Sequence, residues 1–240
     1  MNKKILVFGG TGAIGYSIAT NLKEDGYRPI IISRNEEELI NKSKQIDCDY
    51  EVCDVLDSNQ IEQIAKKHHE GVMGLVYCVG SINLKPLKIT KDDDFIESFK
   101  INTLGAINAV KHNLISLSNN NGSILFFSTV AVQQGFSNHS IISSSKGAIE
   151  GLTLSLAAEF APKIRVNCIA PSLTDSKMSQ KMISNETIRK AIENMHAIPK
   201  IGEGNDFGNL SSFLLSEKNN WITGQIFHID GGRSTLRIKA

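Results

Sequence analysis

An excess of charge of either sign is the first thing this sequence lacks. Its 240 residues carry 26 Lys and Arg against 25 Asp and Glu, a formal net charge of +1. That balance supplies no field to hold a nucleic-acid backbone, and the Lys3-Lys4 and Lys66-Lys67 pairs are too short to form a binding tract. Nucleic-acid partners are therefore not expected. Long apolar runs are missing as well: the stretch Ile5–Phe8 is far shorter than the roughly 7–15 residues of a signal-peptide core. Nothing approaches the ~18 uncharged residues of a membrane span, so the expected location is cytoplasmic, with no membrane partner. Cysteine is sparse. Cys48, Cys53, Cys78 and Cys168 are scattered, without the two-residue spacing of a metal or redox pair, and read as small buried hydrophobes kept reduced. No metal site is expected. Linkers, repeats and low-complexity tracts are also absent, which leaves one domain over residues 1–240, with 41% apolar side chains to fill its core.

What is present is an alternation of short β-rich runs with longer stretches of helical period, the pattern of a parallel sheet covered on both faces. The expected strands are Lys4–Phe8, Pro29–Ser33, Tyr50–Cys53, Met73–Cys78, Ser123–Ser128, Ile164–Cys168 and Gln225–Ile229. Between them, Ile14, Ile18, Ala19 and Leu22 share a helical face, as do Ile61, Ile64 and Ala65 after the Asp57-Ser58 start signal. Ser143–Phe160 reads as a long helix stopped by Pro162, and Asp92-Asp93-Asp94 as a helix N-terminus. The resulting fold class is α/β, a doubly wound (Rossmann) seven-stranded parallel sheet with helices on both faces. Weak periodicity from Ser172 to Lys200 predicts a mobile segment covering a site.

The first strand runs into Gly9-Gly10-Thr11-Gly12-Ala13-Ile14-Gly15, where Gly10, Gly12 and Gly15 give G-x-G-x-x-G just before a helix. Strand, glycine turn and helix N-terminus together let backbone N–H groups and the helix dipole meet a pyrophosphate with no Cβ in the way. A ligand-free tight turn is the alternative. Tyr16 stands where a triphosphate-binding P-loop needs Lys. A dinucleotide site usually ends its second strand with a carboxylate for the adenosine ribose, and this chain has Ser33-Arg34 there. The Arg34 fork, with Ser33 beside it, suits a 2′-phosphate, which points to NADP(H) rather than NAD(H). The other possibility is NAD(H), with Arg34 exposed and Glu36 or Glu37 taking the hydroxyls.

Gly9–Gly15, Cys53-Asp54-Val55, the segment Ile101–Ala106 with Asn102, the block Ser145–Pro171 and Trp221–Gly232 resemble, in order, the short-chain dehydrogenase/reductase family. The resemblance runs from Lys4 to about Gly232. It implies that Gly9, Gly12, Ile14 and Gly15 line the pyrophosphate turn, with Thr11 on the adenosine side, and that Asp54 and Val55 hold the adenine. It also implies that Gly80 borders the cofactor, that Pro171, Thr174 and Ser176 meet the nicotinamide carboxamide, and that Lys146 binds the nicotinamide ribose. Ser172 replaces the glycine common after that proline. Tetramers or dimers are usual for the family, and the Ala148, Leu152, Leu156 face and Trp221–Gly232 are compatible with a homo-oligomer and equally with core packing.

The family's chemistry is hydride transfer between nicotinamide and a carbonyl or alcohol carbon, with a tyrosine four residues before the lysine as proton donor. Here that position is Ile142, and no tyrosine follows Tyr77. Gly135 keeps the family's spacing of 11 residues to Lys146, so the alignment is not shifted. By the same resemblance Thr129 takes the hydroxyl position that orients the substrate oxygen, and Asn102 anchors a water relay to Lys146. His139, seven residues before Lys146, is the replacement donor that helix geometry offers. Its spacing resembles the Y-x6-K of divergent enoyl-thioester reductases of the family. The competing reading leaves His139 as a surface residue in a polar turn, and Ser143 is a weaker donor. Two functions follow. One is an NADP(H)-dependent oxidoreductase of a small carbonyl or enoyl substrate, with Asn102, Thr129, Lys146 and His139 as its catalytic set. The other is a catalytically silent NADP(H) sensor or partner subunit. Ser81–Leu87, Gln133–Asn138 and Ser176–Met195 are the expected substrate-pocket segments.

Overall fold

In the computed structural model, which describes residues 3–237 and only the backbone of Lys181, the β-rich runs form one seven-stranded parallel sheet. Residues 1–2 and 238–240 of the expected domain lie outside the described residues. The strands are β1 (Lys4–Phe8), β2 (Arg28–Ser33), β3 (Asp49–Val52), β4 (Val72–Tyr77), β5 (Ser123–Phe127), β6 (Arg165–Pro171) and β7 (Ile226–Ile229). Their order is β3-β2-β1-β4-β5-β6-β7. Each strand falls within three residues of its expected bounds. The helices are α1 (Ala13–Glu24), α2 (Glu36–Ile46), α3 (Ser58–His68), α4 (Asp92–Phe99), α5 (Gly105–Asn119), α6 (Ser140–Phe160), α7 (Gln180–Ile183), α8 (Glu186–Glu193) and α9 (Asn205–Leu215).

The two-residue period of the strands divides the core. Leu6, Phe8, Ile30, Ile32, Ile124 and Phe126 point to one face, where α5 and α6 bring Ala106, Ala109 and Ile149. Ile5, Val7, Val76 and Leu125 point to the other, against Ile18 and Leu22 of α1 and Phe207 and Leu214 of α9. Buried on both faces, the central strands are continuous apolar runs. Asn35 caps α2 by accepting the Glu38 N–H, and Asp57 caps α3 through Asn59 and Gln60. The aspartate run does open α4, with Asp94 accepting the Lys91 N–H and pairing with Lys85.

Two boundaries depart from expectation. α6 begins at Ser140, three residues early, because the polar serines Ser143–Ser145 return their hydroxyls to helix or neighbouring carbonyls instead of breaking the turn. The segment 172–200 is not structureless: it holds α7 and α8 and lays Met178, Met182, Ile192 and Met195 along a cavity.

The strand order reverses between β1 and β4, which places the loops after these strands on either side of one crevice at the carboxyl edge of the sheet. In open parallel sheets, ligands bind at that switch point.

Candidate active site

The glycine turn forms the floor of the crevice. Gly9 has φ +85°, and a Cβ there would come within 2.9 Å of the Cys78 carbonyl carbon. A Cβ on Gly15 would collide with the Gly9 carbonyl oxygen. The glycines thus let β1, β4 and α1 meet at backbone contact. α1 starts at the Gly12 cap with no side-chain cap and no acidic residue in its first turn. Its leading N–H groups and dipole are left for an anion. These features fit a dinucleotide pyrophosphate: backbone donors, positive dipole and no Cβ between them.

The crevice continues into a cavity of about 1340 Å³, running from Arg34 and Lys42 at one end to Phe136, His139 and Arg233 at the other. Thr11 and Ser33 share a hydroxyl hydrogen bond of 2.9 Å beside Arg34. Lys42 reaches the same wall from α2, its ammonium 4.1 Å from the Tyr16 ring centroid, and burial holds it below its usual pKa. Lys177 from the covering segment bonds Glu38 across this end at 2.6 Å.

At the other end, Lys146 projects from α6. It is 7% exposed, its Nζ donates to the Phe127 carbonyl at 2.8 Å, and desolvation lowers its pKa to about 8. Asn102 lies in a π turn, Lys100–Leu104, that interrupts the passage from α4 to α5. Its amide nitrogen donates to the Ser98 carbonyl at 2.9 Å, and its Oδ1 accepts the Ser81 N–H at 3.3 Å. π turns occur frequently where a functional side chain must be turned inward. A Cβ on Gly80 would sit 2.9 Å from Asn102 Oδ1 and 3.5 Å from Lys146 Nζ, so this glycine makes room for both.

Thr129 caps the turn Val130–Val132, its Oγ1 accepting the Ala131 N–H at 3.3 Å and keeping its own proton to donate. His139 precedes α6; its Nδ1 lies 2.7 Å from the Ser137 carbonyl, so Nδ1 carries a proton and Nε2 is the exchangeable nitrogen. The ring packs edge-on to Phe136, with 5.3 Å between centroids. Ile142 is 5% exposed and forms the apolar wall among these groups. The four tyrosines all lie elsewhere. Tyr77, the last of them, is buried with its hydroxyl donating to the Ile101 carbonyl.

One cavity therefore brings together Gly9, Thr11, Gly12, Ile14, Gly15, Ser33, Arg34, Gly80, Asn102, Thr129, His139, Lys146, Pro171, Thr174 and Ser176. Asp54 and Val55 do not join its lining. Asp54 accepts the Leu56 N–H at 3.0 Å, and Val55 is buried in the core beneath α5. Sequence reasoning missed Lys42, His196 and Arg233. Lys42 sits on an exposed-looking helix face, and the other two stand in stretches whose period is too weak to assign a direction. Cys78, under the glycine turn, is a half-buried thiol of the cavity lining whose pKa desolvation pushes up to about 12, which keeps it protonated.

The comparisons agree with this geometry. The family model described as enoyl-(acyl carrier protein) reductase matches residues 10–234. The 3-oxoacyl-(acyl-carrier-protein) reductase FabG of Rickettsia conorii is 31% identical over 236 residues, covering 96% of this chain and 96% of that protein. A tropinone reductase homologue of Arabidopsis thaliana is 32% identical over 240 residues, covering 95% and 78% respectively. Among solved structures, one described as ElxO with NADP bound superposes with a TM-score of 0.90 at 30% identity, covering 98% of this chain and 100% of that one. A parallel sheet with its glycine turn at the switch point, and likeness of this extent to named reductases, make the chain a member of the short-chain dehydrogenase/reductase family of oxidoreductases.

Proposed function

We propose that this protein is an NADP(H)-dependent oxidoreductase that transfers hydride to or from a small carbonyl or enoyl substrate and uses a proton donor other than tyrosine. The observation that supports this most directly is the common cavity: the glycine turn, Lys146, Asn102, Thr129 and His139 all face it, with Ile142 in the wall between them. NADP(H), when bound, supplies or accepts the hydride.

The chain's own residues do the rest. The N–H groups after Gly12 hold the pyrophosphate, and Lys146 holds the nicotinamide ribose. Pro171, Thr174 and Ser176 meet the carboxamide. Thr129 donates a hydrogen bond from its hydroxyl to the substrate oxygen and keeps its proton. His139, with Nδ1–H fixed on the Ser137 carbonyl, delivers a proton from Nε2 when the ring is cationic and takes one when it is neutral. Water reaches this half-exposed ring and restores its proton.

Two expected results test the assignment. His139→Ala lowers kcat for reduction by about 10²-fold, the scale of one general acid, with the NADPH Kd unchanged; an unchanged kcat removes His139 from the chemistry. Arg34→Ala and Lys42→Ala each weaken NADPH binding roughly 10-fold in a fluorescence titration, by removal of a charge-assisted contact, and leave NADH binding within twofold. Equal losses for both cofactors contradict a 2′-phosphate site. Steady NADPH oxidation with a panel of ketones, aldehydes and enoyl thioesters tests the function itself. Tight NADPH binding with no turnover on any of them favours the silent sensor or partner subunit instead.

A further inference from the structure

Two cations of the cavity lining, Lys177 and Arg233, serve neither cofactor binding nor proton transfer; Lys177 is paired with Glu38, and Arg233 is not paired among the described residues. Arg233 follows β7 through the turn at Gly231 and Gly232, whose φ values of +60° and +83° are open to glycine. Its backbone is pinned by Gln134, whose Nε2 donates to the Arg233 carbonyl at 2.8 Å. The guanidinium carbon lies over the Phe136 ring, 4.6 Å from its centroid, and the same ring packs edge-on with His139.

A buried hydrogen-bond chain orders it further. His196 is 3% exposed, and its Nδ1 lies 2.8 Å from the Ile192 carbonyl, so Nδ1 bears the proton and Nε2 accepts. Nε2 takes the proton of Ser172 Oγ at 2.8 Å, which leaves that oxygen as an acceptor for Arg233 Nη1 at 3.4 Å. Ser172 is next to Pro171, so the guanidinium stands at the nicotinamide end of the cleft.

The half-buried guanidinium has no ion-pair partner among the described residues. Its other contact is the Met195 sulfur, 3.5 Å from Nη2. Asp230, three residues earlier, acts on the guanidinium only through space: its carboxylate oxygens accept from the backbone, Gly232 at 2.9 Å and Ser234 at 2.8 Å, and make no ion pair with it. Glu38, the carboxylate that lines the cavity, is at the adenosine end and is taken by Lys177. A guanidinium offers five donors, and here neutral atoms at long range occupy two of its nitrogens. Partly desolvated cations are costly unless an anion answers them.

We propose that Arg233 is a specificity residue that binds an oxyanion, carboxylate or phosphate, carried by the substrate. The inference rests on the proposed reading of this cavity as a redox site. The substrate is then an oxo or enoyl compound with an anionic terminus, its hydrocarbon part lying against Phe136 and Met195, and the reaction that supplies it must produce an acid or phosphate ester rather than a neutral ketone.

The test titrates the NADP⁺-saturated protein by calorimetry with oxo acids of three to eight carbons, each paired with its methyl ester, and with oxoalkyl phosphates of matching length. Kinetics on the same compounds run alongside. The expected result is an acid bound at least tenfold more tightly than its ester. Arg233→Gln abolishes that preference, while the Kd values of ester and NADP⁺ stay within twofold; Arg233→Lys restores part of it. Preference for phosphates over carboxylates identifies a phosphoryl terminus, and the reverse a carboxylate, either one supporting the proposal. Equal binding of acid and ester by the wild type, an equal loss of both in Arg233→Gln, or weakened NADP⁺ binding in that variant overturns it. The binding arm decides this question even without turnover. Turnover of esters with no acid preference would leave the redox reading standing and remove the anionic subsite alone.

Discussion

Ile142→Tyr is expected to raise kcat for NADPH-dependent reduction of small ketones by about 10²-fold or more, the contribution of a well-placed general acid. Ile142 is one helical turn before Lys146 on α6, so both side chains address the same face. Its side chain is buried in the wall of the cavity that Thr129 and Lys146 also line. A phenol there is expected to meet the Lys146 ammonium, which favours the phenolate and tunes the hydroxyl as an acid, and the Thr129 hydroxyl proposed to orient the substrate oxygen. Enlarging a buried side chain costs about 1–3 kcal/mol in a packed core. The adjoining open volume of about 1340 Å³ absorbs much of the added ring. Steady-state NADPH oxidation, with thermal unfolding as a check on folding, measures the outcome. A folded variant with no gain would mean that Thr129, Asn102 and Lys146 are not assembled for carbonyl chemistry.

Loss of Lys146 has the opposite sign and a comparable size. Lys146→Met is expected to reduce kcat by at least 10²-fold and to weaken cofactor binding roughly 10- to 100-fold, as one charge-assisted contact to the ribose is removed. The same group predicts a pH profile. Desolvation brings the Lys146 pKa down to about 8, so the ammonium is present below that pH and is lost above it. The kcat/KM of the free protein is therefore expected to fall on the alkaline side of about pH 8, measured from pH 6 to 10 against a substrate that does not titrate in that range. A flat profile to pH 10 would mean that the charge on Lys146 is not used.

The sheet was legible because its central strands are buried on both faces: Ile5–Phe8 and Val72–Tyr77 are continuous uncharged runs that no amphipathic helix would show. Asp57 and the Asp92–Asp94 run marked helix starts through cap chemistry that acts locally. The start of α6 was less clear, since serines are ambiguous between cap and helix interior. In the site, Gly9–Gly15 carries its meaning in local geometry, while Thr129 and Lys146 are placed by the family resemblance; Gly9, Gly12, Gly15, Thr129 and Lys146 do line one cavity. Asp54 and Val55 do not, because the turn after β3 directs Val55 into the core. Lys42, His196 and Arg233 depend on contacts with Tyr16, Ser172 and Phe136, which lie 24 to 97 residues away in the chain. No local pattern encodes such pairs. Only the fold brings them together.

By the family resemblance Ile142 stands at the proton-donor position, and the proposed function requires this cavity to move hydride all the same. The most direct measurement is isotope transfer: wild-type protein incubated with 4-deuterated NADPH and the panel of oxo acids, ketones and enoyl thioesters, with products read by mass spectrometry. At least one product is expected to gain deuterium on the former carbonyl carbon or the β-carbon of the enoyl group, at a rate that falls in His139→Ala. Saturable NADPH binding with no deuterium in any product, while Ile142→Tyr transfers it to the same substrates, would contradict the claim.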